Sequence, residues 1–262
     1  MARVLTADLG NSRLKLRLFR IAEGAQCVLE RGLDLERGAG FAELEARGRP
    51  WLSELGVLEQ AALSSVAGEQ DGARVASLLD EAAGGALALA PDPGLEVRCR
   101  EPALVGRDRL YAARAALHAC GGSAVVVSCG TALTVDAALA PRAFLGGAIA
   151  PGPALLARAL AGGTARLFEV DPRPGAPALG RDTREALAAG IVHGLRGAAA
   201  HLAREVAREA GIPDAPCVLT GGARAFLLEP TPFTVRSLTV DEELVHRGLV
   251  AALARLRGAA RP

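Results

Sequence analysis

The strongest constraint on this chain is an arrangement it carries twice. Thr6-Ala7-Asp8-Leu9-Gly10-Asn11-Ser12 is echoed by Val127-Ser128-Cys129-Gly130-Thr131-Ala132-Leu133-Thr134. Each copy follows an apolar, strand-like run, turns at a glycine, offers small hydroxyl or amide side chains, and re-enters a second apolar run. Glycine lets the backbone come close to an anion, and the neighbouring N–H, hydroxyl and amide groups supply donors without bulk. Two such turns suit a phosphate chain. The first copy also holds Lys15, the single lysine of a chain whose other basic residues are all arginine. A compact, mobile ammonium beside this turn adds to the expectation of a nucleotide site.

The chain has 262 residues, half of them hydrophobic, long enough for a large core or two lobes. A formal charge of +1 gives no field to recruit nucleic acid or an acidic membrane surface. The five cysteines, Cys27, Cys99, Cys120, Cys129 and Cys217, are scattered, with no C-x-x-C pair and no histidine at metal-ligand spacing. The longest apolar stretches are broken by Arg, Glu or His, and the first strand begins with no secretory segment before it. These features predict a cytoplasmic protein in a reducing compartment, with no membrane or nucleic-acid partner.

Residues 3–9 and 14–21 read as a hairpin, the second strand alternating Leu14, Leu16 and Leu18 with Lys15, Arg17 and Arg20. Cys27-Val28-Leu29 can add a strand, and Asp34 to Leu55 reads as helical until Pro50. A strand over 61–66, a helix over 71–83 and a strand over 86–90 precede the Pro91-Asp92-Pro93-Gly94 turn. Leu110 to Cys120 is an alanine-rich helix closed by Gly121-Gly122. Strands at 123–128, 132–139 and 143–149 then repeat the opening arrangement. A helix opens at Pro151-Gly152-Pro153, and Pro172 to Pro177 is a loop. A long helix covers Thr183 to Ala210, with Gly190, Gly194 and Gly197 spaced for close packing of another element. Cys217 to Leu219 is a strand, Gly221-Gly222 a turn, and Asp241 to Leu256 the closing helix. The pattern predicts a duplicated α/β architecture, with lobes 1–120 and 121–262.

Six blocks stand in one order: Asp8-Leu9-Gly10-Asn11-Ser12, Gly106-Arg107-Asp108-Arg109, Gly130-Thr131-Ala132-Leu133-Thr134, Leu145-Gly146-Gly147-Ala148-Ile149-Ala150-Pro151-Gly152, Gly180-Arg181-Asp182-Thr183 and Thr220-Gly221-Gly222. Together they resemble type III pantothenate kinase. The resemblance implies two duplicated ribonuclease-H-like lobes of the actin-like ATPase fold, with the nucleotide in the cleft between them. It implies ATP-dependent phosphorylation of pantothenate to 4′-phosphopantothenate, the first step of coenzyme A synthesis, by a homodimer.

The same resemblance assigns roles. Asp8, Gly10, Asn11, Ser12 and Lys15 form the first phosphate loop, with Asp8 holding a hydrated Mg²⁺, and Gly130 and Thr131 belong to the second. Gly221 and Gly222 form the turn beside adenosine. Asp108 matches the catalytic base, a carboxylate that takes the proton of the attacking hydroxyl. Its other reading is an N-cap. Gly106, Arg107 and Arg109 match substrate contacts, a guanidinium suiting the pantothenate carboxylate. Thr183 matches a threonine that reaches pantothenate from the partner subunit, and otherwise simply begins the long helix.

Ser128 is the departure. The family usually has an acid here that helps bind a monovalent cation, K⁺ or NH₄⁺, and a serine offers an oxygen without the charge. Asp136, at the end of the following strand, is the nearest compensating acid, expected to lie too far away. Two other readings follow: a non-catalytic accessory member of the family, motivated by Ser128, and a different small-molecule kinase of the superfamily. His118, His193, His201 and His246 read as packing or surface residues, and Cys129 as a small buried side chain.

Overall fold

The computed structural model describes residues 2–21, 27–37 and 41–259. In chain order the elements are β1 (Ala2–Leu9), β2 (Arg13–Ile21), β3 (Cys27–Glu36), α1 (Arg49–Ser53), β4 (Gln60–Ser65), α2 (Glu69–Ala82), β5 (Leu87–Leu89), β6 (Glu96–Val97), α3 (Arg107–Cys120), β7 (Ala124–Cys129), β8 (Ala132–Leu139), β9 (Ala143–Pro151), α4 (Pro153–Gly162), α5 (Thr183–Glu209), β10 (Cys217–Thr220), α6 (Ala225–Leu228), β11 (Leu238–Val240) and α7 (Leu244–Ala259). They divide into two compact units. The first is Met1–Leu95, Glu101–Ala115 and Leu244–Pro262; the second is Glu96–Arg100 and Ala116–Glu243. The expected division at 120/121 runs along the chain, whereas the units are discontinuous, with α7 packed in the first.

Among the described residues the strands form two sheets, ordered β3-β2-β1-β4-β5 and β11-β10-β7-β8-β9-β6. In the first unit β1 is antiparallel to β2 and parallel to β4. In the second, β7 is antiparallel to β8 and parallel to β10. Reversed, β9-β8-β7-β10-β11 is the order of the first sheet, so the repeated turn in the sequence is one corner of a duplicated topology. The second sheet adds β6 at its edge, parallel to β9.

Alternation along β1 and β2 sorts two faces. Leu5, Ala7 and Leu9 lie opposite Leu18, Leu16 and Leu14, and these six residues bury against Val75, Leu78 and Leu79 of α2. On the other face Val4 and Phe19 join Ala62 of β4 against Tyr111 of α3 and Leu249, Val250 and Leu253 of α7. Each such side chain contributes about 1.5–3 kcal/mol on full burial, so α7 is held by apolar contact along this face. Thr6, Asp8, Lys15 and Arg17 continue the same face beyond the apolar cluster.

In the second unit Val125, Val127, Cys129, Leu133, Val135 and Leu219 face α5 and bury Leu195, Ala199 and Ala203. The opposite face carries Ser128, Thr134, Asp136 and Thr220. The long helix α5 starts where Asp182 accepts a hydrogen bond from the Glu185 N–H at 2.8 Å while the Glu185 carboxylate accepts from the Arg181 N–H at 2.8 Å. Reciprocal capping of this kind contributes on the order of 1 kcal/mol.

Three expectations are corrected. Residues 34–36 belong to β3 rather than to a helix: pairing with β2 sets Glu36 opposite Arg13 and Asp34 opposite Lys15, and their carboxylates form ion pairs with Arg13 and, diagonally, with Arg17. The helical part of that stretch is a turn over Leu44–Gly48 leading into α1, and residues 38–40 lie outside the described residues. A Cβ built at Gly190, Gly194 or Gly197 meets nothing within 4 Å, so among the described residues no element packs closely there. The last helix begins at Leu244, with the Asp241 side chain accepting from the Glu243 N–H at 2.9 Å just ahead of it.

Candidate active site

The first turn is closed by the Gly10 N–H donating to the Arg13 carbonyl at 2.9 Å. Asn11 and Ser12 are exposed at its tip. Arg37 donates to the carbonyls of Gly10 and Asn11, at 2.9 and 3.0 Å, and is itself held by Asp71 of α2. It thereby occupies the turn's oxygens, which would otherwise repel an anion. Sequence reasoning missed Arg37, since nothing in the sequence separates it from the many other arginines.

Asp8 sits directly opposite Lys15 on β2 and Ser64 on β4. Its pKa is pushed from 3.8 up to about 7, first by burial and then by the negative charge of Asp108, against the opposing pull of Lys15 and Arg17. The charge of Asp108 thus acts on Asp8 although a hundred positions separate the two in sequence. Burial and a neighbouring negative charge both disfavour the ionised form of Asp8.

Asp108 is the second residue of α3, so it lies within the first helical turn and is not the N-cap. The backbone N–H groups at the head of α3, that of Arg109 foremost, favour its charged form. A Cβ at Gly106 would stand 2.6 Å from Asp108 Oδ1, so the glycine leaves room for this carboxylate. Burial raises the Asp108 pKa, and the backbone donors and the Arg109 charge work against that rise. Arg107 is exposed and Arg109 half-buried at the head of the same helix.

In the second unit the equivalent turn is closed by the Gly130 N–H on the Ala132 carbonyl at 2.9 Å. Gly152 donates to the Thr131 carbonyl at 3.0 Å, and a Cβ on Gly152 would fall 2.1 Å from the Gly130 oxygen. Gly221, at φ +98°, lies so close to Cys129 that a Cβ would be 2.2 Å from its carbonyl. The Gly130-Thr131 turn, Gly152 and the Gly221-Gly222 turn are thus assembled at one place by backbone contact. Thr183 is exposed as the first residue of α5.

Ser128 lies opposite Thr134 and Thr220, the register positions that Lys15 and Ser64 hold around Asp8. Asp136 is buried on the same face, diagonal to Ser128, a relation that puts Cα atoms about 7–8 Å apart. Its Oδ1 leans over β9, 2.7 Å from where a Cβ of Gly147 would stand. The oxygens directly around Ser128 are hydroxyls, which do not supply the charge of an acid at that seat.

Burial pushes the Cys129 thiol up to about 12, which keeps it protonated and agrees with a packing role. His246, expected to be a packing or surface residue, is buried and hydrogen-bonded to Thr6. That pair could not be read from sequence, because 240 residues separate its members.

Comparison with known proteins places this arrangement. The protein has the fold of the actin-like and sugar-kinase ATPases. A solved Campylobacter jejuni protein, described as a putative Baf family transcriptional activator, superposes with TM-score 0.57 at 18% identity, over 97% of this chain and 99% of that one. An Arthrobacter polyphosphate/ATP-glucomannokinase superposes with TM-score 0.51 at 11% identity, over 99% of this chain and 100% of that one. Within that class the chain belongs to the type III pantothenate kinase family, whose profile matches residues 4–205. The type III pantothenate kinase of Chromobacterium violaceum is 33% identical over 94% of this chain and 97% of its own length. That of Thermomicrobium roseum is 38% identical over 64% of this chain, and the match spans 63% of that protein's length.

Proposed function

We propose that this protein transfers the γ-phosphoryl group of ATP to the primary hydroxyl of pantothenate, the opening step of coenzyme A synthesis. The observation that carries the reading is Asp108, folded back over Gly106 at the head of α3 with its pKa raised by burial, in the same unit as Asp8 and Lys15. A carboxylate with a raised pKa is a stronger base for a hydroxyl proton, and Asp108 accepts that proton as the oxygen attacks phosphorus in line. Arg109 pairs with the substrate carboxylate, with Gly106 and Arg107 beside it. Within the first unit the Gly10-Asn11-Ser12 turn and Lys15 supply donors suited to phosphate oxygens; within the second, Gly130 and Thr131 supply donors of the same kind and Gly221 and Gly222 leave room for a nucleoside.

The donor set fits Mg²⁺: Asp8 is a carboxylate whose ionisation is opposed by burial and by Asp108, and a divalent cation relieves both costs. Bound there with the nucleotide, Mg²⁺ neutralises charge on the phosphates. The seat at Ser128 does not match a cation site that depends on an acid, so K⁺ or NH₄⁺ contributes weakly in this reading. The protein works as a homodimer in the cytoplasm, with the exposed Thr183 offered to the partner's pantothenate. Among the described residues no helix is long and apolar enough to cross a membrane.

The named relatives are kinases, which favours the catalytic reading over the accessory one. The test is incubation of purified protein with ATP, Mg²⁺ and pantothenate and mass detection of 4′-phosphopantothenate. Absence of product under conditions where a relative turns over would overturn the reading.

A further inference from the structure

Helix α7 touches the rest of the first unit closely at two points, two residues apart. At the first, His246 Nδ1 lies 2.8 Å from Thr6 Oγ1, with both residues buried. Thr6 Oγ1 also lies 3.3 Å from the Arg17 carbonyl and donates to it, so the imidazole Nδ1–H donates to Thr6. Burial, with Arg17 and Lys15 nearby, holds the His246 pKa well below the ordinary value, so the ring is neutral. At the second, a Cβ on Gly248 would fall 2.1 Å from the Tyr111 carbonyl oxygen and 2.7 Å from its Cα, so the backbones of α7 and α3 lie against each other. Tyr111 is fixed from its other end by its hydroxyl, which donates to the Pro91 carbonyl at 2.6 Å.

Both contacts sit one step from a carboxylate. Thr6 precedes Asp8 by two residues and shares its face of β1, since strand side chains alternate. Tyr111 follows Asp108 by three residues and lies on the same side of α3, one turn on. His246 therefore grips the strand that bears Asp8, and Gly248 grips the helix that bears Asp108. We propose that α7 is a strut that sets the spacing of Asp8 and Asp108, with His246 and Gly248 as its positioning residues. The apolar contacts of Leu249, Val250 and Leu253 give the strut its adhesion, and the His246–Thr6 and Gly248–Tyr111 contacts give it register.

The proposal rests on the kinase reading, and steady-state kinetics of the parent protein, three single variants and one double variant test it. An ångström of displacement between reacting groups can cost on the order of 100-fold in turnover without weakening binding. His246→Leu is therefore expected to lower kcat by about 10- to 100-fold while KM for ATP and for pantothenate stays within about 3-fold. In His246→Asn the amide reaches the Nδ1 position, so kcat returns to within about 3-fold of the parent. Thr6→Val, which keeps the histidine and removes its acceptor, should match His246→Leu, and the double variant should be no slower than either single one. Amide exchange adds a readout independent of turnover: residues 6–9 and 107–111 should exchange faster in His246→Leu and at the parental rate in His246→Asn.

A kcat for His246→Leu within about 2-fold of the parent would overturn the proposal, as would an asparagine variant as slow as the leucine one or a rise in KM alone. If His246→Leu does not fold, Thr6→Val carries the same two readouts. If the parent itself has no turnover, the kinase reading fails, and exchange still decides the strut: loosening of both stretches upholds it, loosening of 6–9 alone overturns it.

Discussion

Asp8 and Ser128 hold the same place in two copies of one topology. Each stands two residues before the glycine that closes its turn, opposite one residue of the following strand and one of the parallel neighbour. The first site has a carboxylate facing an ammonium, whereas the second has three hydroxyls.

That difference governs the response to monovalent cations. The parent protein is expected to change kcat by less than about 2-fold across a K⁺ or NH₄⁺ titration, because neutral oxygens hold such ions weakly. Ser128→Asp should create a saturable cation dependence, read from initial rates in a Tris-based, K⁺-free buffer. A parent that is silent until K⁺ is added would refute this.

Asp108→Asn removes the proton acceptor and keeps the shape. Loss of a general base typically costs about 10²- to 10⁴-fold in kcat. The melting temperature should not fall, since burial already disfavours the charged form that the variant eliminates. Retained turnover would remove Asp108 from its role.

Asp8 links stability to pH in a definite direction. Its pKa is raised from 3.8 to about 7, so the stability it contributes is fully present below pH 4 and is lost as pH rises through 7. Asp8→Asn removes that loss and should stabilise the protein at pH 8 relative to pH 5 by an amount on the order of 2 kcal/mol. Urea melts of both proteins at the two pH values check it, and an equal difference at both would show that Asp8 is not so perturbed.

Gly221→Ala puts a methyl group where 2.2 Å separates it from the Cys129 carbonyl, at φ +98°. The strain and the clash together are expected to cost about 2–4 kcal/mol in stability and to raise KM for ATP more than KM for pantothenate. Thermal melts and steady-state kinetics measure both effects. An unchanged KM for ATP would separate this turn from the nucleotide.

Local signals carried much of this fold into the sequence. Alternation in β1 and β2 marked both faces of the hairpin, and the glycine turns marked the duplication, because each is decided by residues a few positions apart. The error at residues 34–36 has the opposite origin: the charges that suggest a helix surface are cross-strand partners of Arg13 and Arg17, and only pairing with β2 reveals it. Asp108 was legible from its block, yet its capping alternative fell only when α3 was seen to begin at Arg107, one residue ahead of it. Arg37 and the Thr6–His246 pair could not be read at all, since the first lies in no motif and the second joins β1 to the last helix.

The place of α7 also fixes an order of events during synthesis. A chain leaves the ribosome from its N-terminus, and domains fold as their residues emerge. The second unit has all its segments once Glu243 is made, whereas the first, begun with β1, waits for Leu244 onward to cover Val4, Phe19 and Ala62. The half that starts first is finished last, and it is the half that holds both carboxylates.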